Sequence, residues 1–287
     1  MTQPTLHRPP APEALQRRLQ IALKSARGAG LLIMAHYGQL DEIDEKSPID
    51  LVTIADRESE AHLLATLRAA FPSDTLLAEE RDGHAGVAAA RASLPETPWC
   101  WVVDPLDGTT NFSHSHPQFA VSIGLLHYGQ PVLGVVLAPA REELFVGGVG
   151  IPATCNGKPI TVSAVPSLSR SLLASGFPYD RRTRIDALLT RVGRALLLAH
   201  GFRRGGSAAM DLVEVAAGRL DGFWEESLAP WDVAAGHAII EAAGGRITSL
   251  TGDKHDLFAG STLASNGRFH DEIRQQVVED QTATGAG

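Results

Sequence analysis

Cysteine is nearly absent: the chain of 287 residues holds two, Cys100 and Cys155. Neither has metal-ligand spacing, so a zinc-finger or disulfide-framework protein is excluded, and both are expected as free thiols in a reducing compartment. No apolar run is long enough to span a bilayer. The amino terminus lacks a basic segment followed by an apolar one, so no secretory leader is expected. Lys/Arg runs of the kind that track a phosphate backbone are missing as well, and a formal net charge of −8 argues against non-specific nucleic-acid binding. What is plentiful is apolar material, 44% of the residues, enough for a substantial core. These features describe a cytoplasmic globular protein with neither nucleic acid nor membrane as partner. Residues 1–12 read as a flexible arm and 281–287 as a flexible tail, leaving 13–280 as one domain of two lobes, about 13–150 and 151–280.

The most informative stretch is Trp99-Cys-Trp-Val-Val-Asp-Pro-Leu-Asp-Gly-Thr-Thr-Asn-Phe112. Its apolar run, Trp99 to Val103, reads as a buried strand that ends at two carboxylates, Asp104 and Asp107. Pro105 biases Asp104 toward extended geometry, so the chain is expected to turn directly after the strand. Gly108 allows close backbone approach, and Thr109-Thr110-Asn111 supply capping residues where a helix can begin. Such a turn can aim both carboxylates and the Leu106 carbonyl into one small volume, where a hard divalent cation relieves their repulsion. The N–H groups of the following helix suit a phosphate at the same place. Asp, Pro and Gly are also ordinary turn residues, so the spacing alone leaves a surface turn open.

Elsewhere the periodicity predicts a helix from Glu13 to Tyr37, an acidic loop from Asp41 to Glu45, and a second helix carrying Leu63, Leu64 and Leu67. Thr53 caps that second helix, with Asp56 in its first turn. A short strand, Thr75 to Ala78, runs into Glu79-Glu80, and 81–98 reads as a surface excursion with some helix. Phe119 to Val149 forms a β-meander of three strands, and Asn156-Gly157 marks a hairpin turn. A strand from Ser171 to Ser175 and a helix from Ile185 to Ala199 follow. Next come a helix introduced by Gly205-Gly-Ser-Ala-Ala209, a strand from Leu220 to Trp224 running into Glu225-Glu226, and a helix opened by Pro230-Trp231-Asp232. Gly28 and Gly30 lack the strand and third glycine of a nucleotide loop, and Gly150 to Lys158 has the wrong spacing for a P-loop. His114 and His116 are expected on a loop near the mouth of the pocket, and Arg181, Arg182, Arg203 and Arg204 as solvated or interface residues.

The string around Asp104, together with Trp231-Asp-Val-Ala-Ala-Gly236, resembles the two signatures of the inositol monophosphatase family. These are Mg²⁺-dependent, lithium-sensitive phosphatases, and the likeness, in the manner of bacterial inositol-1-monophosphatases, runs from about Ser47 to about Gly245. The resemblance implies an α/β (α+β) fold, a layered αβαβα sandwich with mainly antiparallel sheets, and a homodimer. It implies that Glu79, Asp104 and the Leu106 carbonyl hold one Mg²⁺, that Asp104, Asp107 and Asp232 hold a second, and that a third, weaker ion sits near Glu79. Lithium would replace the metal on the Asp232 side. Asp56 would pair with Thr109 to orient and deprotonate the attacking water. Substrate contacts would come from Asp107, Gly108, Thr109, Ser207, Ala208, Glu225 and Asp232. The implied reaction is hydrolysis of myo-inositol monophosphate by direct attack of metal-activated water. Thr110-Asn111 points to inositol phosphates, while histidinol phosphate, fructose 1,6-bisphosphate and adenosine 3′,5′-bisphosphate remain open. So does a regulatory binding protein that keeps the fold.

Overall fold

The structure, a computed structural model, describes residues 10–39, 44–47 and 50–279. The arm over 1–9, most of the acidic loop (41–43), residues 48–49 and the tail from 280 lie outside the described residues.

Helix α1 (Pro12–His36) starts with proline in its first turn beside Glu13, and Gly38 follows it with a φ of 75°. Its buried residues Leu15, Leu19, Ala22, Ala26, Ala29 and Ile33 alternate spacings of four and three, which makes one apolar stripe. A hairpin, β1 (Asp44–Ser47) and β2 (Asp50–Val52), leads to α2 (Ile54–Ala70). At the start of α2 the Asp56 carboxylate accepts from the Thr53 N–H at 2.7 Å and from the Thr53 hydroxyl at 2.6 Å. The expected cap is therefore present. Leu63 and Leu67 then face the same core as α1.

That core lies on one face of a seven-stranded sheet. Its strands are β3 (Thr75–Ala78), β4 (Cys100–Asp107), β5 (Ala120–His127), β6 (Gln130–Ala138), β7 (Glu143–Gly148), β8 (Ile151–Cys155) and β9 (Lys158–Pro159), paired in that order. Only β3 and β4 are parallel; helix α3 (Glu79–Ser93) connects them. A five-residue helix, α4 (Thr109–Ser113), links β4 to β5. The remaining strands form hairpins, two of them closed by Tyr128-Gly129 and Asn156-Gly157, where every φ is positive. Positive φ at both central positions matches the twist of the flanking strands. Trp101 and Val103 face α1 and α2, while Cys100 and Val102 face the opposite core, so β4 is apolar on both sides and reads as a continuous run.

The second half supplies β10 (Leu172–Ser175), α5 (Arg181–Leu198), β11 (Gly201–Arg203), α6 (Ala208–Ala216), β12 (Gly222–Glu226), α7 (Pro230–Ala242), β13 (Arg246–Thr248) and β14 (Ser261–Ser265). A short helix, α8 (His270–Glu272), runs on into a π-helical turn, Ile273–Val278. The five strands order as β11-β10-β12-β14-β13, with β10 parallel to both neighbours and the rest antiparallel. Helices α6 and α7 are buried between the two sheets, against Val102, Val136 and Phe145 on one side and Ala174, Phe223 and Ala264 on the other. Leu173, Trp224 and Leu263 pack outward against Ala195 of α5 and against Phe269, Ile273 and Val277. The layers are therefore αβαβα, with mainly antiparallel sheets. Burying Ile239 and Ile240 of α7 alone contributes about 1.5–3 kcal/mol each.

Cys100 and Cys155 are free thiols, and no helix among the described residues is long and apolar enough to cross a membrane. Several elements differ from the sequence reading: Asp44 and Glu45 pair in β1 where an acidic loop was expected, and α5 starts at Arg181 rather than Ile185. Strand β4 does not stop at Asp104 but runs through the proline to Asp107, because the pairing with β5 resumes after an irregularity. The acidic pair Glu79-Glu80 opens α3 directly, so the helix expected within the surface excursion over 81–98 starts earlier, at the end of β3, and runs to Ser93. The Ala78 N–H donates to Asp82 at 2.9 Å and the Glu80 N–H to Glu60 at 2.8 Å, which anchors this helix start despite a poor apolar pattern.

Helix α7 lies so close to the large sheet that a Cβ on Gly134 would stand 2.1 Å from the Ala235 carbonyl oxygen, and one on Gly124 2.6 Å from the Ala234 Cβ. Gly134→Ala should therefore lower stability in denaturant unfolding by about 2–3 kcal/mol, since backbone must move. Gly193→Ala in α5, where a Cβ meets nothing within 4 Å, should instead add up to about 1 kcal/mol. Equal effects at the two positions would contradict this packing.

Candidate active site

Asp104 and Asp107 are three residues apart on one strand, a separation that would send them to opposite faces. The pairing corrects this: Asp104 stands opposite Ser122 and Asp107 opposite Ala120, so β4 carries one extra residue over this interval. Such a bulge re-aims a side chain. The Leu106 N–H donates to Asp104 Oδ1 at 2.9 Å, and the Ser59 hydroxyl of α2 donates to the Pro105 carbonyl at 2.8 Å. The bend is thus held from both sides. Gly108, with a φ of 91°, then turns the chain into α4; a Cβ there would be 2.9 Å from the Gln118 carbonyl oxygen.

Asp232 arrives from the opposite direction, in the first turn of α7, where its Oδ2 accepts from the Ala229 N–H at 2.7 Å. Asp104, Asp107 and Asp232 each place one ligand atom within 4.8 Å of the others. Asp107 is gripped from α6, its Oδ2 accepting from the Ser207 hydroxyl at 2.5 Å and from the Ala209 N–H at 2.7 Å. Glu79, the first residue of α3, acts electrostatically on Asp104. The donors available, carboxylates plus the Leu106 carbonyl, are oxygen only, which fits a hard divalent cation and not a thiophilic or imidazole-seeking one.

Electrostatics point the same way. Burial, reinforced by Glu79, Asp107 and Asp232, holds the Asp104 carboxyl well above the usual range. Asp232 is likewise raised, by burial and then by Asp107. Burial pushes Asp107 up to about 6 although the Ser207 and Ala209 bonds oppose it. Without a cation, these groups resist ionisation.

Asp56 is fully buried and lies behind Thr109, whose hydroxyl stands 3.1 Å from Asp56 Oδ1 and 3.0 Å from the Leu106 carbonyl. That hydroxyl has one proton for two acceptors. A cation on Leu106 would leave Asp56 to receive it. Burial raises Asp56 to about 6, opposed by its Thr53 bonds.

These groups line a cleft of about 350 Å³ between the two sheets, with Glu79, Asp104, Leu106, Asp107, Gly108 and Thr109 on one side and Ser207, Ala208, Glu225 and Asp232 on the other. A volume of this order suits a small phosphorylated ligand. Glu225, at the end of β12, is pushed up to about 8 by burial and then by Asp211, with Arg204 opposing.

Four features differ from the sequence reading or escaped it. His114 and His116 are exposed and line no part of the cleft, because the turn after α4, closed by the His116 N–H on the Asn111 carbonyl, directs them to solvent. Of the four arginines, Arg182 and Arg203 are exposed away from the cleft, whereas Arg181 and Arg204 line it. Ser59 and Glu60, which brace the turn and the start of α3, were overlooked; their spacing of three and four from Asp56 on one helix face is the signal that marks them. Asp211, buried one turn after Ser207 and raised well above the usual range by burial, was overlooked too.

Residues 14–282 match the model of the inositol monophosphatase family. The chain is 44% identical over 269 residues to the inositol-1-monophosphatase of Synechocystis, covering 93% of this chain and 91% of that protein. It is 41% identical over 257 residues to the Nus factor SuhB of Pseudomonas aeruginosa, covering 88% of this chain and 92% of that one. Among solved structures, the inositol monophosphatase of Anabaena superposes with a TM-score of 0.81 at 39% identity, covering 94% of this chain and 99% of that one.

A carboxylate whose folded pKa is raised binds protons that the unfolded chain has released, so stability rises as pH falls through the folded value. With chelator present, the thermal midpoint should therefore rise between about pH 8.5 and about pH 7, the range over which Glu225 titrates and the unfolded-state histidines stay mostly neutral. Mg²⁺ should raise the midpoint most at the alkaline end, where the acids are ionised. Calorimetry across this range checks both, and a larger Mg²⁺ effect at the lower pH would contradict the electrostatic account.

Proposed function

Because the chain belongs to the inositol monophosphatase family, we propose that this phosphatase is magnesium-dependent and hydrolyses myo-inositol monophosphate to inositol and phosphate. The observation that carries the reading is the convergence of Asp104, Asp107 and Asp232 beside the Asp56–Thr109 pair. Glu79, Asp104 and the Leu106 carbonyl would hold one Mg²⁺ and Asp104, Asp107 and Asp232 a second, with a weaker third near Glu79. Magnesium held there supplies Lewis-acid neutralisation of the phosphoryl charge.

The chain's own residues account for the rest. Thr109 and Thr110, the first residues of α4, line the cleft, and since the first N–H groups of a helix have no acceptor within it, phosphate oxygens would accept them there. Thr109 Oγ1, with its proton directed to Asp56 Oδ1, offers a lone pair to a water in the cleft. The pair then takes up the proton as that water attacks phosphorus, with Asp56 as the base. Ser207 and the Ala209 N–H hold one oxygen of Asp107, which keeps its orientation fixed during the reaction. Glu225 accepts hydrogen bonds from hydroxyls of the substrate, and Arg204 favours its ionised form. Gly108, Ser207 and Ala208 complete the wall that contacts the polyol.

The same reading places the enzyme in the cytoplasm as a homodimer; the net charge of −8 and the absence of a long apolar helix among the described residues support it acting on a small molecule in water. A second role, as a regulatory binding partner alongside the phosphatase chemistry, is favoured by relatives named Nus factor SuhB.

Phosphate release from inositol 1-phosphate, histidinol phosphate, adenosine 3′,5′-bisphosphate and fructose 1,6-bisphosphate should be greatest for the first, should vanish with chelator and should fall in millimolar lithium. Preference for another ester would overturn the pocket assignment while keeping the mechanism. Asp104→Asn should abolish turnover with the fold retained by circular dichroism. Asp56→Asn should lower kcat by about 10²–10⁴-fold, the range of a general base, with Mg²⁺ stabilisation preserved. A cellular phenotype that survives Asp104→Asn would favour the binding role.

A further inference from the structure

Strands β10 and β12 run parallel, with Ala174 opposite Phe223 and Ser175 opposite Trp224. The next residues of the two strands, Gly176 and Glu225, therefore fall side by side on the same face, since side-chain direction repeats every second residue. Ala174 and Phe223 on this face enter the core against α6 and α7, and Gly176 and Glu225, one step further along, line the cleft. A Cβ built on Gly176 would stand 1.9 Å from Glu225 Oε2, 2.2 Å from its Cδ and 2.3 Å from Oε1. The carboxylate occupies the volume that a side chain at 176 would fill.

Nothing in the backbone asks for glycine at this point. Gly108, Gly206 and Gly218 have positive φ, whereas Gly176 does not. The requirement is one of space, and the group that uses the space is a carboxylate in the substrate cleft. A side chain at 176 could not coexist with the carboxylate where it stands, so the carboxylate would have to move. A hydroxyl donating to an oxygen stands within about 2.5–3.0 Å of it, so a displacement of the order of one bond length would unseat the hydroxyls it accepts from.

We propose that Gly176 is a positioning residue for substrate choice: by leaving its own side-chain volume to Glu225, it sets where the acceptor carboxylate stands and which polyol hydroxyls the site reads. The inference rests on the role given to Glu225 above. It assigns discrimination between polyol phosphates and other phosphate monoesters to a strand pair on the wall of the cleft, on elements other than those that carry Asp104, Asp107 and Asp232.

The test is a double-mutant cycle on Gly176→Ala, Glu225→Ala and the double variant, assayed on inositol 1-phosphate and on p-nitrophenyl phosphate, which has no polyol hydroxyls. Gly176→Ala should lower kcat/KM for inositol 1-phosphate by about 10- to 100-fold, chiefly through KM, and cut its selectivity over the aryl ester by at least about fivefold. In the Glu225→Ala background the same substitution should change selectivity by less than about twofold, because no carboxylate remains to be displaced. Equal losses on the two substrates, or the same effect in both backgrounds, would overturn the inference. A crystal structure of Gly176→Ala separates this idea from the substrate reading. An unmoved Glu225 carboxylate overturns the role of Gly176, whereas a displaced carboxylate with unchanged selectivity upholds the positioning and overturns the substrate contact assigned to Glu225.

Discussion

Three carboxylates that bring ligand atoms within 4.8 Å of one another repel, by roughly 3 kcal/mol per pair of unit charges at an effective dielectric near 20. Much of the surrounding structure holds them against that repulsion. Each acid has one oxygen tied to a backbone N–H close at hand: Asp104 to Leu106, Asp107 to Ala209 and Asp232 to Ala229. Held in this way, the three still bring ligand atoms within 4.8 Å of one another. Asp56 follows the same plan, with Oδ2 fastened to Thr53 and Oδ1 facing Thr109. Turns and helix starts thus fix the direction of every acid, in an arrangement that a hard divalent cation would suit.

The acids meet because α7 is pressed between the two sheets. Its amino end carries Asp232, and its body lies over Gly124 and Gly134, positions at which even a methyl group would strike its backbone or side chains. A helix apolar around most of its circumference can only be buried, and the two sheets leave it one slot. The cleft is therefore a junction, with the large sheet and α3 contributing one wall and α6, α7 and the small sheet the other. Placing reactive groups on packed strands and helix starts gives them the rigidity that differential stabilisation of a transition state requires.

Much of this was legible in the linear chain because the governing signals are local. The apolar run into Asp104, the hairpin turn at Asn156-Gly157, and the helix starts at Thr53 and Pro230 each depend on a few adjacent residues. The likeness of two such stretches to family signatures then named the acids that the fold assembles. What local signals could not carry was the extra residue between Asp104 and Asp107, since a bulge exists only relative to the partner strand β5. Helix α3 was obscured for a related reason: its start is held by Glu60, which lies on another helix.

The sequence by itself determined where many of the strands and helices lie, because these follow from periodicity and capping, while the layered class of the fold and the set of acids came from the resemblance to the family signatures. Only the tertiary structure decided that Arg181 and Arg204 face the cleft while His114 and His116 face solvent, that Asp211 is buried beside it, and that Gly176 gives way to Glu225. Those outcomes depend on which surfaces the two sheets bring together across α6 and α7. Residue type and spacing along the chain do not encode that contact separately from the packing of the whole core.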